Sequence, residues 1–293
     1  MIQELADHEM AILNEIERFS DKVLRPAAAA IDAEGRFATE HLPALGGMGI
    51  MGMNLPEAHG GVALSGPALY RAVELVAGAC GSTASMLTAH FLATDSLLLG
   101  GDEALCARFL PQAATGARLG AFALTEPEAG SNPADMRSVA VPEGDGYRLK
   151  GSKCFISNAG AADFIVVYAK TDRTAGARGV SAFVIEPKAM DGVEIGPHER
   201  TMGLRGGHVF PLSLDCHVPA ENRIGAEGSG FRTAMKVLDN GRIEVAAQAT
   251  GIAAAALDAA VAYAKERKVG GHPIADFQGL QWMLADMATD LAA

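Results

Sequence analysis

Four short segments carry residue types that chemistry on a bound ring or ester would use. Residues 125–131 read TEPEAGS. Pro127 stiffens a turn there, Gly130 permits close backbone approach, and the Thr125 and Ser131 hydroxyls offer hydrogen bonds to a polar ligand. On spacing alone this segment suits a ligand loop and a plain hairpin loop equally. In KGSKCFISNAGAADFIVVYAKTD at 150–172, Phe155 stands beside Ser157 at the end of a strand-like run. That pair suits the wall of a flat ring system, and equally a packed core. RTMGLRGGHVFPLSLDCHVPAENRIGAEGSGF at 200–231 and RKVGGHPIADFQ at 267–278 read, taken singly, as glycine-rich connectors.

The elements that position these segments fall into three parts. Apolar residues recur at three and four positions over 2–24, 66–79, 82–99 and 103–115, which predicts a helical domain spanning 1–118. The period then changes. Short runs rich in Val, Ile, Phe and Tyr at 120–125, 147–157, 163–170, 180–186, 192–196 and 209–218 predict strands, with Gly144-Asp145-Gly146 as a turn. Several strands without intervening helices predict an antiparallel barrel or sandwich over 119–218. From Gly228 the helical period returns to about Lys268, and a second helix opens near Pro273 with Phe277, Leu280, Leu284, Met287 and Leu291 on one seam. The fold class is therefore α+β, with 219–293 the start of a helical bundle. A helix that stops at Ala293 without a Gly or Asn cap predicts that the bundle is incomplete.

Composition narrows the function classes. The 293 residues are 49% hydrophobic and 20% charged, with a net charge of −11. Such a balance argues against a nucleic-acid surface, which needs clustered Lys and Arg. An acidic protein that binds an anionic ligand must place its few cations locally, which makes single arginines informative. Cys80, Cys106, Cys154 and Cys216 lie far apart with no metal-ligand spacing, so no metal site is expected. A cytoplasmic location is the expectation, because MIQELADHEMAILNEIERF lacks a signal-peptide layout and no run approaches the ~20 uncharged apolar residues of a membrane span.

Together, in this order, the four segments and HLPALGGMGIMGMNLPEAHGG at 41–61 resemble the acyl-CoA dehydrogenase family over essentially the whole chain. The resemblance implies FAD in a cleft between the β domain and the carboxy-terminal helices, with an acyl-CoA thioester as substrate. Phe122, Leu124, Thr125 and Gly130 match the family's flavin loop, and Phe155, Ile156 and Ser157 match the facing wall. Ser131, Asp239 and Arg242 match positions that meet the acyl-CoA. Arg267 and Gln278 match positions that reach the FAD diphosphate of a neighbouring subunit, which implies a homodimer or homotetramer. Here the chain departs from the pattern, since the family places Phe at Gly270 and often Thr at Val269. An electron-transferring flavoprotein is the acceptor that the resemblance implies.

The implied reaction removes a proton next to the thioester carbonyl while hydride leaves the following carbon for the flavin. A desolvated carboxylate must act as base. Most of the family keeps it beyond the helix that ends here, and a minority at the position matching Gly241. Glycine abstracts nothing. Glu244 lies three residues on, rotated by about 300° and raised ~4.5 Å, and has no family support, so no base is assigned. The chain alone is therefore expected to be inactive. The rival readings are a flavin-dependent monooxygenase of the same fold and a non-catalytic subunit that pairs with a complete partner.

Overall fold

The computed structural model describes residues 5–293. The helix expected over 2–24 is α1 (Asp7–Phe19) followed by a π-helical turn at Ser20–Leu24, then α2 (Arg25–Glu34). Pro26 lacks the N–H a continuous helix would need, which accounts for the widened turn just before it. α2 left little apolar signal because Ile31 is its one buried residue, flanked by the half-buried Ala27 and Ala28, and it ends at Gly35 in the left-handed region. A short α3 (Leu42–Gly47) precedes α4 (Gly66–Ala79), α5 (Gly81–Gly100) and α6 (Glu103–Ala114). Asp102 caps α6 by accepting the Leu105 N–H at 2.8 Å. α5 is buried around most of its circumference, as expected of a central helix.

The middle part is one mixed sheet, and this corrects the antiparallel barrel or sandwich in detail. Its strands are β1 (Gly120–Ala123), β2 (Val139–Glu143), β3 (Gly146–Ser157), β4 (Phe164–Lys170), β5 (Val180–Ile185), β6 (Val193–Ile195), β7 (Val209–Pro219) and β8 (Arg223–Ile224). The order is β6-β7-β3-β2-β4-β5-β8, whose end strands β6 and β8 do not pair, so the sheet is not closed, and β1 runs parallel to β4. β2 escaped the pattern because it is short and contains Pro142; it touches β4 only at Val139, leaving the proline on a free edge. Alternate residues of β4 serve two cores. Phe164, Val166 and Tyr168 pack with α5 and α6, while Ile165, Val167 and Ala169 meet Leu149, Leu212 and Cys216 from the sheet's own far strands. A sheet bent onto itself in this way reads, strand by strand, like a sandwich.

α7 (Gly230–Glu266) lies along α4 and α5, and a hairpin of β9 (Lys268–Val269) and β10 (His272–Pro273) leads to α8 (Gln278–Ala292). Although Asp258 interrupts its Ala-rich stretch, α7 is by length and composition alone apolar enough to cross a membrane, with a mean hydropathy of 1.5. It approaches α4 closely. A Cβ on Gly251 would stand 2.2 Å from the Glu74 carbonyl oxygen. Gly251→Ala is therefore expected to destabilise the chain by about 1–3 kcal/mol through backbone displacement, whereas Gly279→Ala in α8, with open space around it, should be neutral or stabilising. Thermal melts of the two variants check this.

Candidate active site

β1 carries the chain to a cleft of about 420 Å³ between the sheet, α5 and α7. Phe122, Leu124, Thr125, Gly130 and Ser131 form one side, and Phe155, Ile156 and Ser157 another. Arg242 of α7 stands at its wall beside Leu238 and Met235. Most of the residues singled out in the sequence thus meet in one place. Asp239, Arg267 and Gln278 do not line the cleft. Asp239 turns to Arg242, accepting from its Nη1 at 2.6 Å on the exposed surface. Arg267 caps the end of α7 and Gln278 begins α8, both exposed.

Phe155 owes its place to the sheet's register. β3 and β7 pair regularly up to Lys153↔Leu212 and resume at Ile156↔Phe210, so Cys154 and Phe155 together face only Pro211. Proline cannot donate to the ladder, and a bulge opposite it absorbs the extra residue. Within that bulge Phe155 has φ 58°, a left-handed conformation that bulky residues rarely adopt, and the residue is left 65% exposed. An aromatic ring held in a strained conformation and turned outward is an expensive arrangement for a core, and a natural one for a ligand wall. The strand end is bolted down from behind, where the buried Asn158 amide donates to Met86 O of α5 at 2.8 Å and to Gly120 O of β1 at 3.2 Å.

Beneath the loop lies an ion pair that the motif reading missed. Lys153 Nζ donates to Glu126 Oε1 at 2.8 Å and to Leu124 O at 3.1 Å. The two side chains are 0% and 2% exposed. Glu126 also accepts from the Ser138 N–H at 3.1 Å and from that of Arg137. Burial alone would raise the Glu126 carboxyl, but the Lys153 charge and these donors outweigh it and hold it below the usual range. Burial pulls the Lys153 ammonium down against the opposing attraction of Glu126. The strand pattern did hold a clue, since Leu149, Gly151 and Lys153 share the inward face at period two.

Behind the cleft, α5 and α7 meet through a polar seam. Asp95 accepts from Asn54 Nδ2 at 2.7 Å and from Asn240 Nδ2 at 3.1 Å, and Thr88 reaches Gln248 at 3.4 Å. Glu244 lies in this seam, 1% exposed and outside the cleft, with its Oε2 unpartnered. Burial, and then the Asp95 charge, push its carboxyl up to about 8. Gly241 stands one turn earlier, where a Cβ would come 2.5 Å from Leu92 Cδ2 at the cleft wall. Among the described residues no carboxylate lines the cleft, and no cluster of potential metal ligands occurs.

The comparisons agree with this architecture. The acyl-CoA dehydrogenase amino-terminal, middle and carboxy-terminal family domains match residues 6–117, 121–216 and 228–293. The short-chain-specific acyl-CoA dehydrogenase of Clostridium acetobutylicum is 44% identical over 274 residues, covering 93% of this chain and 72% of that protein. Butyryl-CoA dehydrogenase from Megasphaera elsdenii superposes with a TM-score of 0.95 at 38% identity, over 100% of this chain and 78% of that one. A chain from a study titled for the electron transferring flavoprotein of Acidaminococcus fermentans gives 0.96 at 40%, over 100% and 77%. The fold and its cleft define a three-part oxidoreductase. The chain belongs to the acyl-CoA dehydrogenase family.

The seam sets a pH dependence. Glu244 gains a proton on folding between its ordinary value of 4.5 and about 8, so its contribution to stability is full below the lower value and is lost as pH rises through the upper one. Glu244→Gln, which carries no titrating proton, should flatten the fall in melting temperature between pH 5 and pH 8.5 and leave the variant more stable than the parent at the alkaline end. Parallel melts across that range would refute the assignment by showing equal slopes.

Proposed function

We propose that the cleft holds the isoalloxazine of FAD and that the chain serves the α,β-dehydrogenation of acyl-CoA thioesters. The observation that carries this reading is Phe155, outward and strained, lining with Thr125 a cleft whose backbone leaves hydrogen-bonding capacity unused. The donor set fits a flavin edge: the Thr125 N–H has no partner among the described residues, Thr125 and Ser157 bring hydroxyls, and Gly130 has open space around it. When bound there, FAD supplies the electron sink for a hydride from the substrate's β carbon.

The chain's own residues bind and orient. Phe122 and Phe155 offer flat apolar walls, Ser131 a hydroxyl, and Leu238 and Met235 an apolar floor that excludes water. Arg242 supplies the cation for the anionic coenzyme A moiety. Arg267 and Gln278, exposed and away from this cleft, are assigned to a neighbouring subunit's cofactor, which calls for a homo-oligomer. The Acidaminococcus neighbour supports an electron-transferring flavoprotein as acceptor. Proton removal needs a carboxylate, and none lines the cleft among the described residues.

Two variants test the reading. In the FAD-loaded chain without oxygen, butyryl-CoA should bleach the flavin ~10²–10⁴ times more slowly than an enzyme with its base in place. Gly241→Glu combined with Leu92→Ala, which clears the space beside it, should accelerate bleaching. Arg242→Ala should weaken CoA-ester binding at least tenfold without changing flavin affinity. Fast bleaching by the parent chain, or an Arg242 variant that binds the ester normally, would overturn these assignments.

A further inference from the structure

The buried pair beneath the flavin loop has more capacity than anchorage requires. Lys153 Nζ bonds the Leu124 carbonyl oxygen as well as Glu126. A trans peptide is planar and holds its C=O and N–H in opposite directions. The Leu124–Thr125 unit therefore presents its carbonyl to the buried ammonium and its N–H to the other side. Both residues line the cleft, and that N–H has no partner among the described residues. The Thr125 carbonyl is already taken by the Cys154 N–H at 3.1 Å, which locks the loop to β3 beside the Phe155 bulge.

We propose that Lys153 and Glu126 form an electrostatic positioning pair for the bound ring: the ammonium polarises the Leu124–Thr125 peptide and strengthens the Thr125 N–H as a donor into the cleft. The inference rests on the flavin reading and deepens it. Hydrogen-bonded chains polarise one another, most effectively where water is excluded, and here the ammonium, Leu124 and the countercharge are buried while Thr125 is half-buried. An acceptor that gains negative charge on reduction profits most from such a donor. The pair therefore favours the reduced ring over the oxidised one, and Glu126 moderates that preference by offsetting the ammonium's charge.

The sign of the effect separates this role from a structural one. Lys153→Met leaves the Glu126 charge alone beneath the ring, and Glu126→Gln leaves the Lys153 charge alone. Both loosen the same loop, so a purely structural pair predicts that the two variants behave alike. Electrostatic coupling predicts midpoint potentials that move in opposite directions. In Lys153→Met the reduced flavin should lose about tenfold more affinity than the oxidised form, equivalent to a midpoint lower by about 30 mV for a two-electron couple; in Glu126→Gln the midpoint should rise. Lys153→Arg, which keeps charge and donor, should restore most of the parent value. Should Lys153→Met not fold, the neutral double variant Lys153→Met/Glu126→Gln carries a fall of the same sign and smaller size, since the donor to Leu124 O is gone and no unpaired charge is left beneath the ring. Midpoints are read by dye equilibration of the FAD-loaded chain at a single pH of 6.5. Shifts of the same sign, or no shift with flavin retained, overturn the inference. A parent chain that binds no FAD overturns the flavin reading beneath it.

Discussion

The cleft depends first on one buried charge pair. Lys153 and Glu126 are almost wholly out of water, where isolated charges cost several kcal/mol each. Geometry offsets that cost, because Glu126 accepts from one ammonium and two backbone amides and Lys153 also donates to a carbonyl. Removing one partner of such a pair typically costs about 3–5 kcal/mol through the charge left behind. Those contacts tie the segment after β1, the segment before β2 and the bulge of β3 to a single point. The loop's conformation is thus set from behind, which frees its cleft-facing atoms for a ligand.

α7 depends on a different kind of constraint. Close approach to α4 at Gly251 and contact of Gly241 with Leu92 leave no room for side chains. The contacts Asp95–Asn240 and Thr88–Gln248 then fix the register of α7 against α5. A slip of one residue would break both bonds and turn Leu238 and Arg242 out of the cleft. Polar pairing across this seam specifies one alignment of two long helices that apolar contacts alone would leave free to slide.

Much of this was legible in the sequence, for physical reasons that differ by element. Long helices such as α5 and α7 declared themselves through their apolar period, and buried β4 through its unbroken apolar run. β2 did not, because five residues with a proline carry too little pattern. The mixed sheet was hidden because a strand's pattern reports which faces are buried and is silent on which neighbour runs parallel. Thr125, Ser131 and Phe155 were visible as motif residues. Lys153 was not, since a lysine inside a strand reads as surface until its inward register is weighed. Leu92 and Ala89 gave no signal because a residue lining a cleft from a buried helix has the same composition as one in the core.

The acidity of the chain poses a last question, how a polyanionic thioester would approach a molecule of net charge −11. Screening answers most of it. At physiological salt the Debye length is about 8 Å, so charges dispersed over the surface act weakly on a ligand in the cleft, while a guanidinium in contact acts at full strength. At ~4 Å and an effective dielectric near 20 a single pair is worth about 4 kcal/mol. The nearer competitor is Asp239, which already holds Arg242 at 2.6 Å. That bridge is exposed on both sides, 68% and 70%, and exposed bridges are worth only about 0.2–1 kcal/mol. An incoming anion with some shelter from water therefore exchanges a weak partner for a stronger one.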